Sequence, residues 1–200
     1  MKKITSILIT ALLILFSLTS FISCAKNGEG TPITGKWQAE ISFKNLISDS
    51  GGASPFEAQL IDLSEYAVTL NFEFKDSGSM TVGVNSAATE ESAKALFEEY
   101  VDRILSESDA PEDEVLSSMG YDSKEEAVRD MLKNTDFSSF GGESVKYTFE
   151  DGVLGYGSAK IKTTLDGDTL TLEEVLSESE KDAPYSFMEN FVPLTLTREK

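Results

Sequence analysis

The chemistry open to this chain is set first by what it lacks. Its 200 residues include one cysteine, Cys24, and no histidine. Histidine is the commonest general base, the usual switch near neutral pH and the commonest metal ligand. Without it, and with one thiol at most, zinc, copper and haem sites are not expected. No cofactor is expected either. Carboxylates are plentiful, at 35 Asp+Glu, which leaves calcium binding and carboxylate-pair hydrolysis chemically open. Two acidic clusters draw attention, Asp109 to Glu114 and Asp166-Gly167-Asp168. Neither has the alternating ligand spacing with a terminal Glu that an EF-hand loop needs. A glycosidase needs two carboxyl groups ~5–9.5 Å apart in a cleft, and spacing nominates no such pair. The expectation is a protein that is not an enzyme.

Cys24 cannot form an internal disulfide, so in an exported chain it is a reactive thiol or a modified one. The residues before it argue for export. Met1-Lys2-Lys3 is a short positive start, and Ile4 to Leu18 is uncharged and mostly apolar. That is the pattern of a secretory signal. Counted to Ile22, the run approaches the ~20 residues that span a bilayer, so an uncleaved anchor is the competing reading. Ser17, Thr19, Ser20 and Ser23 make the end of the run small and polar, which favours cleavage. Phe21-Ile22-Ser23-Cys24-Ala25 resembles the lipobox of bacterial lipoproteins, with Phe21 where that family prefers Leu. The resemblance implies that Cys24 receives a diacylglyceryl group and becomes the N-terminus after cleavage. Ordinary cleavage after Ala25 is the alternative. Residues 1–23 are then a lipoprotein signal peptide. Residues 24–34, polar and rich in Gly and Pro, read as a flexible tether. The protein is expected outside the cytoplasm, held to a bacterial membrane by acyl chains whose buried methylenes contribute ~0.8 kcal/mol each.

About 170 residues remain for one domain, 35–200. The export segment holds Lys2, Lys3 and no acid, so the rest carries 15 basic and 35 acidic side chains, a net charge of −20. Such a charge opposes nucleic acid and anionic headgroups. It is compatible with a basic protein partner or a neutral ligand. It also serves plain solubility.

Two periodicities share this domain. Trp37, Ala39, Ile41 and Phe43 alternate with polar residues, as do Val68, Leu70, Phe72 and Phe74; both are half-buried strands. Asp76-Ser77-Gly78 reads as a hairpin turn into Met80, Val82 and Val84. From Thr89 the period becomes 3.6, and an inserted helical segment is expected over about 89–134. Glu90 and Glu91 are placed in the first turn of its first helix. Asp109 and Glu112 are expected to cap a second helix ending near Gly120, and Ser123 and Glu126 a third. Strands resume with Val145, Tyr147 and Phe149. Asp151-Gly152 and Asp166-Gly167 read as tight turns, and Phe191 to Thr197 as the last strand. Residues 44–65 give no clear reading. About eight strands in hairpin order predict an antiparallel meander closing into a barrel, with an open sandwich as the alternative.

Gly35-Lys36-Trp37 opens the first strand and Arg198 closes the last. This pairing resembles the lipocalins and the wider calycin group. The resemblance implies a lipocalin-like barrel in which an arginine lies over the tryptophan of a Gly-x-Trp motif and closes the base. The lipocalins' conserved loop motifs and disulfide are absent from this sequence. If the barrel is open inside, Leu70, Phe72, Phe74, Tyr147 and Phe149 are the expected lining of a site for one small hydrophobic ligand. The helical segment would then be a lid, with Met119 and Tyr121 at its tip. If the same side chains fill the core, the domain is a surface interaction or adhesion module with no small ligand.

Overall fold

The computed structural model describes residues 31–48, 56, 61–133, 135, 142, 144–178 and 186–200. Cys24 and the signal peptide lie outside the described residues. The chain forms two compact units, one built on strands and one drawn from 41–68 and 85–139.

Eight strands make the first: β1 Gly35–Ser42, β2 Ala67–Lys75, β3 Ser79–Val84, β4 Val145–Glu150, β5 Val153–Tyr156, β6 Ala159–Asp166, β7 Thr169–Ser177 and β8 Leu194–Arg198. They follow one another around a closed barrel in chain order. β8 returns antiparallel to β1, with Trp37 opposite Arg198 and Gln38 opposite Thr197. The architecture is mainly β, a lipocalin-like up-and-down barrel with an inserted helical segment, as the alternation implies. β2 is the clearest case. Val68, Leu70, Phe72 and Phe74 are buried and Lys75 is exposed. Opposite them, Val82 and Met80 of β3 face Phe72 and Phe74.

Tight turns set the register. Lys75 pairs with Ser79 across a three-residue loop, in which Gly78 takes φ +70° and returns a hydrogen bond to the Lys75 carbonyl. Asp151 and Gly152 both adopt positive φ between β4 and β5, the backbone that matches strand twist in a two-residue hairpin. The β6–β7 loop is Gly167-Asp168, one residue later than the sequence suggests, because Asp166 still pairs with Thr169. In β7 the alternation breaks. Lys162 pairs with Glu174 and Thr163 with Leu172, so Glu173 is an extra residue in a bulge. Glu173 reaches Lys162 at 2.9 Å. The last strand starts at Leu194 rather than Phe191. Ser186–Phe191 is a 3₁₀ helix, and Pro193 has no N–H to give a ladder.

The second unit contains α1 Phe43–Ser48, α2 Ser86–Glu107, α3 Glu112–Met119 and α4 Lys124–Lys133. The long helix begins before Thr89. Asn85 is its N-cap, accepting from the Ala88 N–H at 3.3 Å. Thr89 is therefore a fully buried residue of the helix, and Glu90 and Glu91 fall beyond the first turn. Its buried stripe includes Ala93, Leu96, Phe97, Tyr100 and Val101. Phe56 packs on it, edge-on to Tyr100 with ring centroids 5.2 Å apart. α3 is not capped by Asp109. Pro111 occupies the N-cap with no side-chain hydrogen bond. Gly120 ends the helix in the left-handed conformation, φ +89°. Ser123 does cap α4, through the Glu126 N–H, while the Glu126 carboxylate turns back to the Asp122 N–H.

Candidate functional site

In an up-and-down barrel alternate connections share an end. The chain enters β1, turns at 76–78, 151–152 and 167–168, and leaves β8 at one end, here called the base. The other end is the rim.

The base is sealed by a cluster built from both ends of the barrel's chain. Trp37 is fully buried. Arg198, its cross-strand partner, lies over the indole with the guanidinium carbon 4.2 Å from the ring centroid. Such a contact is worth ~0.5–2 kcal/mol. The same guanidinium donates from Nη1 to the Thr34 carbonyl at 2.6 Å and from Nη2 to the Pro32 carbonyl at 2.9 Å. Its Nε stands 3.6 Å from the Asp168 carboxylate. Gly35 has φ +129°, and a Cβ there would meet Arg198 Nη1 at 3.0 Å. Glycine is thus required both by the backbone and by the arginine's approach. Gly35, Trp37 and Arg198 form one contact set.

The structure adds a part that composition hides. Thr31–Thr34, assigned by sequence to the tether, packs into the base. Ile33 is fully buried, and its carbonyl accepts the Trp37 indole N–H at 2.7 Å. The Thr31 hydroxyl is 2.9 Å from that of Tyr147, which also donates to the Lys75 carbonyl. A buried indole needs an acceptor, and the strand's own carbonyls are engaged in the ladder.

The expected ligand lining lies inside the barrel. Leu70, Phe72, Phe74 and Tyr147 are 4%, 1%, 1% and 4% exposed, and Phe149 is half-buried. Three of these side chains touch as rings. Phe72 and Phe74 stack at 6.4 Å, and Phe74 meets Tyr147 edge-on at 5.2 Å. Around them Met80, Leu154, Ile161 and Leu170 keep no accessible surface. Side chains lining a void large enough for a ligand would retain some, because a void that admits solvent leaves its walls accessible.

Toward the rim the 3₁₀ helix Ser186–Phe191 buries Met188 completely. Tyr156, buried at the end of β5, donates its hydroxyl to Glu189. Burial first, then the neighbouring Glu189 charge, push the phenol far above its ordinary value of 10. Tyr66 is raised in the same way within the helical unit, by burial and by its hydrogen bond to Glu99. Below pH 10 these phenols are neutral in folded and unfolded chains alike. Above it only the unfolded chain loses their protons, so stability falls as pH rises. Thermal melts from pH 8 to 11.5 should therefore show a midpoint that drops above pH 10. Tyr156→Phe should lessen that slope; an unchanged slope would remove Tyr156 from the explanation.

A groove of about 350 Å³ opens on the outer wall over β1, β2 and β3. Lys36, Asn71, Glu73, Thr81 and Glu199 border it, with Gly83 and Gly142 adding no side chain. Sequence reasoning did not find it. Phe72 and Val82 border it from within the wall, while Lys36, Asn71, Glu73 and Thr81 occupy outward positions of their strands, where polar side chains are the rule. The Gln38 amide already donates to Asn71 at 3.2 Å. The two acidic clusters resolve into local structure, a helix start and a hairpin. Among the described residues no group of three or more His, Cys, Asp or Glu is placed to hold a metal ion. Met119 and Tyr121 are half-buried within the helical unit, and Tyr121 donates to Asp130 at 3.1 Å. No helix among the described residues is long and apolar enough to cross a membrane.

Fold and base together define a closed eight-stranded antiparallel barrel of lipocalin-like architecture, pinned by a tryptophan–arginine stack. No protein-family model, curated protein or solved structure matches the chain.

Proposed function

We propose that this chain is an extracytoplasmic lipoprotein, acylated at Cys24, whose lipocalin-like barrel has a filled core and acts through its outer surface as an interaction module. The observation that carries the choice over a ligand carrier is the packing inside. Of the side chains that would line a pocket, Leu70, Phe72, Phe74 and Tyr147 keep at most 4% of their surface accessible, and the last three touch as rings. An eight-stranded barrel is narrow enough for side chains alone to fill it. The −20 charge of the mature chain favours a basic protein partner and disfavours nucleic acid. The anchor rests on the positive start, the apolar run and the small residues around Cys24.

Native mass spectrometry of the folded protein, exposed to lipid extract from its own host, tests this reading. The expected spectrum is that of the untreated protein. A discrete added mass, lost when Phe72 is replaced by Asp in a variant that still folds, would reinstate the carrier.

A further inference from the structure

We infer that the base of the barrel is the face turned toward the bilayer. The inference rests on the lipoprotein reading of Cys24. It starts from where the chain is first pinned. Thr31 bonds to Tyr147, Arg198 grips the Pro32 and Thr34 carbonyls, and Ile33 is buried. All of these contacts are at the base. Only residues 25–30 separate Cys24 from Thr31. At ~3.6 Å per step at most, that chain reaches about 25 Å.

The barrel is nearly as tall as this tether is long. An eight-residue strand rises ~3.3 Å per residue, and a tilt near 40° leaves roughly 20 Å between base and rim. To bring the rim to the bilayer, the tether would have to run straight along the wall with almost no slack. That leaves one backbone path in place of many, and each residue so fixed loses conformational entropy. Base-down orientations carry no such cost. The base carries exposed charges of both signs, Asp76, Asp151, Asp166 and Asp168 beside Lys36, Lys75 and Lys146, so the tether and not charge sets the orientation. The tether keeps the base near the membrane.

Trp37 supplies the probe. It is the only tryptophan and it sits in the base. The full-length chain would be produced in a host that processes lipoproteins, purified from its membranes and reconstituted into phosphatidylcholine vesicles containing dansyl-labelled headgroups. The mass of the N-terminal peptide reports acylation separately. Energy transfer from Trp37 to the dansyl lipid should be several-fold that from a tryptophan near the rim, placed by Leu176→Trp in a Trp37→Phe background. Leu176 is 51% exposed near the rim end of β7. Where Trp37→Phe disturbs the fold, Leu176→Trp alone serves, and the mean transfer per tryptophan should fall below that of the parent. An acylated protein with equal or greater transfer from the rim overturns the orientation and leaves the lipoprotein reading intact. An N-terminal peptide without the acyl mass overturns both.

Discussion

Trp37→Ala should lower the stability of the domain by about 3–5 kcal/mol, the usual cost of emptying a large buried aromatic site. For a domain of this size that is a fall in Tm of roughly 6–20 °C. The loss has three physical parts. The indole's own burial goes, the Ile33 carbonyl loses its donor, and Arg198 loses the ring beneath it. Arg198→Ala should cost less, about 1–3 kcal/mol, because the hydrogen bonds to Pro32 and Thr34 are lost at a half-buried site. Arg198→Lys should recover only part of this, since an ammonium cannot fork to two carbonyls while lying flat on a ring. The two residues touch, so their effects should not add. A double-mutant cycle by urea denaturation reads the coupling. Strict additivity would mean that the stack at 4.2 Å contributes nothing to closure.

Phe72→Ala should cost a similar ~3–5 kcal/mol, and for a different reason. Phe72 is in mid-barrel, 1% exposed, stacked on Phe74 and opposite Val82. No polar partner depends on it, so the cost is that of a void in a close-packed interior. The void should stay dry and apolar, and should admit a small apolar molecule that the parent protein excludes. Stability would then rise with the concentration of that molecule in the variant alone. A cost under ~1 kcal/mol would mean that Phe72 borders space already open.

The strands were legible because burial on one face imposes a period of two, and Val68 to Phe74 keep it without a break. Gly35, Trp37 and Arg198 were legible at the two ends of the domain through the resemblance to the lipocalins, and the closed meander brings them together. The base plug was not. Thr31-Pro32-Ile33-Thr34 has the composition of a linker, and its role depends on an indole four residues later that needs an acceptor. Ile33, the single large apolar residue between Ala25 and Trp37, was the available signal. The start of α2 was misplaced for a related reason. Thr89 has the chemistry of a cap, but Asn85 four residues earlier holds that position and leaves Thr89 buried in the helix. At the β7 bulge the sign was two adjacent acids, Glu173 and Glu174, between Leu172 and Val175. A strict alternation cannot accommodate them, and Glu173 turns outward to both Lys162 and Thr164. The outer groove left no trace in sequence, because polar outward residues look the same whether or not a hollow lies between them.

The filled interior is the claim on which the functional reading stands, and a calorimetric titration with benzene, a molecule the size of the ring that Phe72→Ala removes, tests it directly. The folded parent and the Phe72→Ala variant would be titrated side by side, with circular dichroism confirming that both are folded. The account predicts no saturable binding by the parent and stoichiometric binding by the variant, whose new void is the only difference between them. Saturable one-to-one binding by the parent, abolished by Phe72→Asp in a folded protein, would contradict it and make this barrel a carrier of small apolar ligands.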